Sequence, residues 1–157
     1  MNDKMRPITI LMADDDAEDR QLTKEAFAEN HLKNDLRFVE NGEELIDYLN
    51  RRGKFTDPET SPRPGLILLD LNMPKKDGRE ALQELKADPR FKSIRVVVMT
   101  TSQADEDIAQ TYNLSASSYI TKPVTFDGLL EVIRVLGKYW LEIVHLPDNP
   151  DDSATGR

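Results

Sequence analysis

Four short apolar runs, each ending abruptly in a reactive or charged residue, limit what this chain can become. Ile8-Thr9-Ile10-Leu11-Met12-Ala13 runs into Asp14-Asp15, and Leu66-Ile67-Leu68-Leu69 into Asp70. Val96-Val97-Val98-Met99 meets Thr100-Thr101, and Tyr119-Ile120-Thr121 meets Lys122-Pro123. As neighbouring parallel strands, these runs would gather three carboxylates, a hydroxyl and one ammonium at a single sheet edge. That set of groups suffices to hold a divalent cation and a phosphoryl group.

Stretches of helical periodicity separate the runs, the pattern of repeated strand-helix units around a parallel sheet. Leu22, Ala26 and Phe27 share a helix face over roughly 17–30, with Asp16 at the N-cap position. A weaker strand follows at Asp35-Leu36-Arg37-Phe38-Val39, is broken by Asn41-Gly42, and leads to a helix marked by Leu45, Ile46 and Leu49. Ala81, Leu82 and Leu85 mark the next helix, which stops near Asp88-Pro89. Asp105-Glu106-Asp107 suit the positive end of another helix, and a long last helix follows Pro123. Five strands alternating with five helices predict a doubly wound α/β sheet, because parallel crossovers are right-handed. Ligands of such sheets bind beyond the carboxyl ends of the strands, where the strand order switches.

Arg51 to Pro64, with three prolines, reads as a surface loop, either a contact surface or, the favoured reading, a neutral insertion. Asp148 to Arg157 is polar and reads as disordered. A length of 157 residues fits one domain with a normal core. No apolar stretch approaches the roughly 20 residues of a membrane span, and Met1 to Pro7 lacks the apolar core of a secretory signal. With no cysteine, disulfides and thiolate metal sites are excluded, and a cytoplasmic protein is expected. A net charge of −8 argues against a nucleic-acid partner.

The chemistry follows from the residue types. A hard cation such as magnesium prefers oxygen ligands and keeps several waters, so Asp15 and Asp70 would bind directly and Asp14 through water. The cation would also let three adjacent acids stay ionised together. Asp70 could then act as a carboxylate nucleophile and form an aspartyl phosphate. Lys122 would neutralise one phosphoryl oxygen and the Thr100 hydroxyl would bond another. Any one of these residues alone reads as a loop or cap residue, and Asp16, Glu18 and Asp19 are read that way. The joint pattern at four strand ends is what points to a site.

Asp70-Leu71-Asn72-Met73-Pro74-Lys75-Lys76-Asp77-Gly78, together with Asp14-Asp15, Thr100 and Lys122-Pro123, resembles the receiver domain of two-component response regulators. The resemblance covers residues 6–145, leaving 146–157 as a polar tail. It implies a CheY-like, flavodoxin-like five-stranded sheet of order 2-1-3-4-5. It further implies phosphate transfer from a sensor histidine kinase to Asp70, making the protein a phosphoacceptor and not an enzyme on other substrates. Magnesium or manganese would be held by Asp14, Asp15, Asp70 and the Asn72 backbone carbonyl, with Thr100 and Lys122 sensing the phosphoryl group. Tyr119 takes the aromatic switch position, and the peptide between Lys122 and Pro123 would be cis. Pro74 to Glu80, Thr100-Thr101-Ser102 and Tyr139-Trp140 resemble the small regulators paired with bacterial phytochrome kinases, which implies a bacteriophytochrome partner.

Too little chain follows the last helix for an output domain, so the output is expected to be a protein contact. Phe126, Leu129, Leu130, Ile133, Leu136, Trp140 and Leu141 form its core stripe. A second stripe of Val132, Val135 and Tyr139 reads as partial burial or as a partner surface, and the subfamily resemblance implies a homodimer through this side. His31 and His145 read as surface or cap residues. Two other functions compete. The Asp14-x-Asp16 spacing is that of haloacid-dehalogenase phosphohydrolases, although Glu18 stands where their Thr or Val is expected. A degenerate receiver serving only as a scaffold would lack some of the site residues, and all are present.

Overall fold

Period-two alternation inside the apolar runs decides the layering. The computed structural model describes residues 8–101 and 116–138. In β1 (Thr9–Ala13), Ile10 and Met12 join one buried cluster while Leu11 and Ala13 join another. In β3 (Leu66–Leu69) and β4 (Arg95–Thr100), Leu66, Leu68, Val97 and Met99 lie on the first side, and Ile67, Leu69, Val96 and Val98 on the second. Successive side chains of a strand point to opposite faces, so a run apolar at every position must be covered on both.

Helices supply that cover. α1 (Ala17–Glu29) adds Ala26 and Phe27 to the first cluster, and α4 (Phe126–Leu136) adds Ile133 and Leu136. α2 (Gly42–Asn50) and α3 (Gly78–Ala87) cover the other face through Leu45, Leu49, Ala81, Leu82 and Leu85. Full burial of each leucine, isoleucine or phenylalanine among these contributes about 1.5–3 kcal/mol. β2 (Asp35–Val39) and β5 (Ser118–Thr121) complete a five-stranded sheet of order β2-β1-β3-β4-β5, parallel at every pairing. The expected order is thus borne out. The helix expected between β4 and β5, from Asp105-Glu106-Asp107 onward, lies outside the described residues. Among the described residues no helix is long and apolar enough to cross a membrane.

Helix starts follow their caps. Asp16 accepts from the Glu18 and Asp19 N–H groups, Asn41 from Glu44, Asp77 from Glu80 and Thr125 from Gly128. Each bond satisfies a donor that the first turn would otherwise leave open. His31, with φ 57°, ends the turn after α1 as an exposed residue whose N–H reaches the Ala28 carbonyl.

One expectation is corrected. The Lys122–Pro123 peptide is trans, since the described residues contain no cis bond. Trans is the lower state of an X–Pro bond by about 0.5–1 kcal/mol. The trans chain already delivers the Lys122 amine to the acids, so the local geometry does not demand cis. The 51–64 loop is mostly exposed, as a surface loop is, and is tied to the core at a few points. Phe55, in a 3-10 turn at Gly53–Phe55, packs on Tyr48 with ring centroids 5.3 Å apart. The Tyr48 hydroxyl donates to the Pro62 carbonyl at 2.7 Å, and Ser61 is buried.

Candidate functional site

The sheet ladder continues past the strands and fixes the residues at their ends. The Asp14 N–H donates to the Val39 carbonyl and the Asp70 N–H to the Ala13 carbonyl, each at 3.0 Å. The Lys122 N–H donates to the Thr100 carbonyl at 2.8 Å. β1 and β3 are neighbours from which the chain departs in opposite directions, so Asp14, Asp15 and Asp70 stand at the switch point. That is where an open parallel sheet leaves a crevice for a ligand.

One oxygen from each of Asp14, Asp15 and Asp70 lies within 4.8 Å of the other two. Asp14 is 0% exposed and Asp70 is 6%, whereas Asp15 is open to solvent. Thr100, 0% exposed, donates its hydroxyl to Asp70 Oδ1 at 2.9 Å. The Asn72 N–H reaches the same oxygen at 3.1 Å, and the Asn72 side-chain amide donates to Thr100 Oγ1 at 3.2 Å. Asp70 Oδ1 is therefore held by two donors, and Oδ2 faces Lys122.

Lys122 Nζ lies 2.7 Å from Asp14 Oδ2, 2.7 Å from Asp19 Oδ2 and 3.2 Å from Asp70 Oδ2. The contacts to Asp19 and Asp70 are hydrogen bonds. The one to Asp14 is a close ion pair, and the buried Asp14 Oδ2 has no hydrogen-bond partner. Burial raises the Asp14 carboxyl above the usual range and outweighs the opposing pull of Lys122 and the Asp16 N–H. For Lys122 burial acts to lower the amine, yet pairing with Asp14 and Asp19 and the charge of Asp70 raise it overall. The ammonium is permanent at physiological pH.

These residues fit a divalent cation. The donors are hard carboxylate oxygens, close together, and one buried oxygen among them lacks a hydrogen bond. Three acids against one amine leave negative charge that a cation would offset. Asp14, Asp15 and Asp70 therefore form an acidic metal site.

The strand-end reading brought Asp14, Asp15, Asp70, Thr100 and Lys122 together as expected, with Asn72 beside them. Tyr119 is half-buried on β5 opposite Val98 and packs on the cluster beneath α2 and α3. On α4, Val132 packs on the first cluster while Val135 is 49% exposed. Tyr139, Trp140, Leu141, His145 and the tail lie outside the described residues. Asp16 caps α1, so the Asp14-x-Asp16 pair of a phosphohydrolase does not converge on the site. Sequence reasoning missed Asp19. It was assigned only to the helix dipole, yet its carboxylate is a full partner of Lys122.

Two glycines let the loop after β3 approach closely. A Cβ on Gly78 would stand 2.3 Å from the Asp70 carbonyl oxygen, and one on Gly42 would stand 2.2 Å from that of Lys76. The Gly42 N–H donates to the Lys76 carbonyl at 2.8 Å, tying this loop to the start of α2.

Known proteins share this arrangement. The sequence pattern of the response regulator receiver domain matches residues 10–134. Response regulator Rcp1 of Synechocystis sp. is 39% identical over 141 residues, covering 90% of this chain and 94% of that protein. The Mn2+-bound crystal structure of Rcp1 superimposes with a TM-score of 0.82 over 90% of this chain and 100% of that one, at 39% identity. A phosphorylated cyanobacterial phytochrome response regulator, RcpA, gives 0.84 at 38% identity over 91% of this chain and 100% of that one. A response regulator in red-light signalling of R. palustris gives 0.84 at 35% identity, covering 90% and 99% of the two chains.

Proposed function

The chain belongs to the response regulator receiver family of phosphoacceptor signalling proteins, and we propose that it is a single-domain switch phosphorylated on Asp70 by a histidine kinase. The observation that carries the assignment is the Asp70 carboxylate, clamped at Oδ1 by Thr100 and the Asn72 N–H and faced at Oδ2 by Lys122. The phytochrome and red-light regulators among its relatives support a bacteriophytochrome kinase as the donor, and with it a cytoplasmic location. The receiver would span 6–145, with 146–157 as a tail.

Asp70 attacks the phosphorus of a phosphohistidine; an O–P bond forms, the P–N bond breaks, and the imidazole leaves with the electron pair. The carboxylate is pre-aligned by its two donors, which reduces the reorganisation that the step requires. Lys122 neutralises a phosphoryl oxygen, and the Thr100 hydroxyl moves from Asp70 Oδ1 to another. Asp14, Asp15, Asp70 and the Asn72 carbonyl would hold a cation, which would supply charge stabilisation for the transferring group. Withdrawal of Thr100 toward the phosphoryl group would favour an inward position of Tyr119, and Pro123 after Lys122 would carry the change into α4. A phosphoryl group shifts such an equilibrium only by the contacts it makes differently in the two states. The half-exposed Val135 supports a homodimer through this side of α4.

Labelling with a small phosphodonor such as acetyl phosphate and Mg2+ tests the assignment. One phosphoryl group per chain, lost in Asp70→Asn and on chelation, is the expected result. Full labelling of Asp70→Asn would refute it.

A further inference from the structure

Asp19 does more than start a helix. Its carboxylate, one-third exposed, sits 2.7 Å from Lys122 Nζ, as close as Asp14 at 2.7 Å and closer than Asp70 at 3.2 Å. Lys122 is 14% exposed and its described partners are Asp14, Asp19 and Asp70. Two of those three are the acids that would hold a cation. An ammonium lying against them competes with the cation for the same oxygens and repels it once it is bound. Asp19 is outside the trio and offers the amine a counter-charge away from it.

The backbone around Asp19 is anchored independently of its carboxylate. Its N–H donates to Asp16 Oδ1 at 3.2 Å and its carbonyl accepts from Thr23 Oγ1 at 2.8 Å. The carboxylate is therefore not required to build the turn. Glu18, the preceding residue of the same turn, is exposed and makes no ion pair among the described residues.

We propose that Asp19 is a positioning residue that draws the Lys122 ammonium off the metal-binding oxygens, so that a divalent cation can enter beside it. With Asp19 neutralised, the amine falls back on Asp14 and Asp70 and the cation must displace it. The inference deepens the phosphoacceptor reading, and it is tested on the cation alone, without phosphorylation.

Mn2+ binding to the full chain is measured by paramagnetic resonance or calorimetry. Asp19→Asn, nearly isosteric, is expected to weaken binding on the order of fivefold, a coupling of the size that contacting groups show. Asp19→Glu should restore most of the affinity. Glu18→Gln removes the same charge from the same turn and should change affinity by less than about twofold, since exposed charges are screened. The decisive arm is Lys122→Met, in which Asp19→Asn should have no more effect than Glu18→Gln. An equal loss from Asp19→Asn with and without Lys122 would mean simple long-range attraction, and would overturn the proposal. So would unchanged affinity in Asp19→Asn. Failure of the unmodified protein to bind Mn2+ would instead remove the metal site itself, and this inference with it.

Discussion

Asp14→Asn should make the metal-free fold more stable while destroying its response to magnesium. At an effective dielectric of about 20, each acid neighbour at the 4.8 Å limit repels Asp14 by about 3.5 kcal/mol, so two contribute about 7 kcal/mol. Lys122 at 2.7 Å returns about 6 kcal/mol of attraction on the same scale. These nearly cancel, and the cost of burying the charge then decides the sign, in agreement with the raised Asp14 carboxyl. The asparagine amide can still accept from the Asp16 N–H through its oxygen, now 2.9 Å away, and Lys122 keeps Asp19 and Asp70. Urea unfolding at pH 7 with chelator should show the variant more stable by on the order of 1 kcal/mol. A group with a raised folded-state pKa supports the fold below its unfolded value of 3.8 and loses that support as pH rises through the folded value. The advantage of the variant should therefore be largest near neutrality and shrink as pH falls. With Mg2+ at a hundredfold over its dissociation constant, the unmodified protein should gain about 2.7 kcal/mol and the variant almost nothing. A variant less stable than the parent by 1 kcal/mol or more in chelator would refute the reasoning, for then the Lys122 attraction would outweigh repulsion and burial together.

Gly42→Ala would drive a Cβ to 2.2 Å from the Lys76 carbonyl. It is expected to cost about 1–3 kcal/mol in urea unfolding, as overpacking does, and to weaken Mn2+ binding by moving the loop that carries Asn72. Lys86 donates to the carbonyls of Lys92 and Ile94 at 3.0 and 2.8 Å, and burial lowers its amine from 10.5 to about 8. Between those two values the unfolded chain binds more protons. Stability relative to Lys86→Met should therefore rise from pH 8 toward 10.5, by on the order of 1 kcal/mol after allowance for solvent screening. A flat difference in paired unfolding curves would contradict this. If the chain forms the proposed homodimer, Val135→Asp, which places a charge on a residue 49% exposed, is expected to leave folding intact while shifting that dimer to monomer in sedimentation. An unchanged dimer would move the interface elsewhere.

Much of the site was legible because it is built at strand ends. An apolar run read off the chain states where its strand stops, and the next residue is then at the sheet edge. Asp14, Asp70, Thr100 and Lys122 were found this way, and the N-cap read at Asp16 sits where α1 begins. Haloacid-dehalogenase spacing was legible too, and misleading. Only the cap geometry shows Asp16 engaged with two N–H groups of its own helix.

Local pattern thus determined the strands, the helices, their alternation and which polar groups reach the common edge, because those depend on periodicity within a few residues. Tertiary packing decided the rest. The rotation of α1 against the sheet turns Asp19, and not Glu18, toward Lys122, and no run of residues encodes that angle. The isomer at Pro123 is not fixed by the dipeptide, because trans is favoured by only about 0.5–1 kcal/mol in an isolated chain and surrounding contacts could outweigh that. The long loop is held by Phe55 on Tyr48 and by Tyr48 on the Pro62 carbonyl, partners brought together by folding and not by their order in the chain.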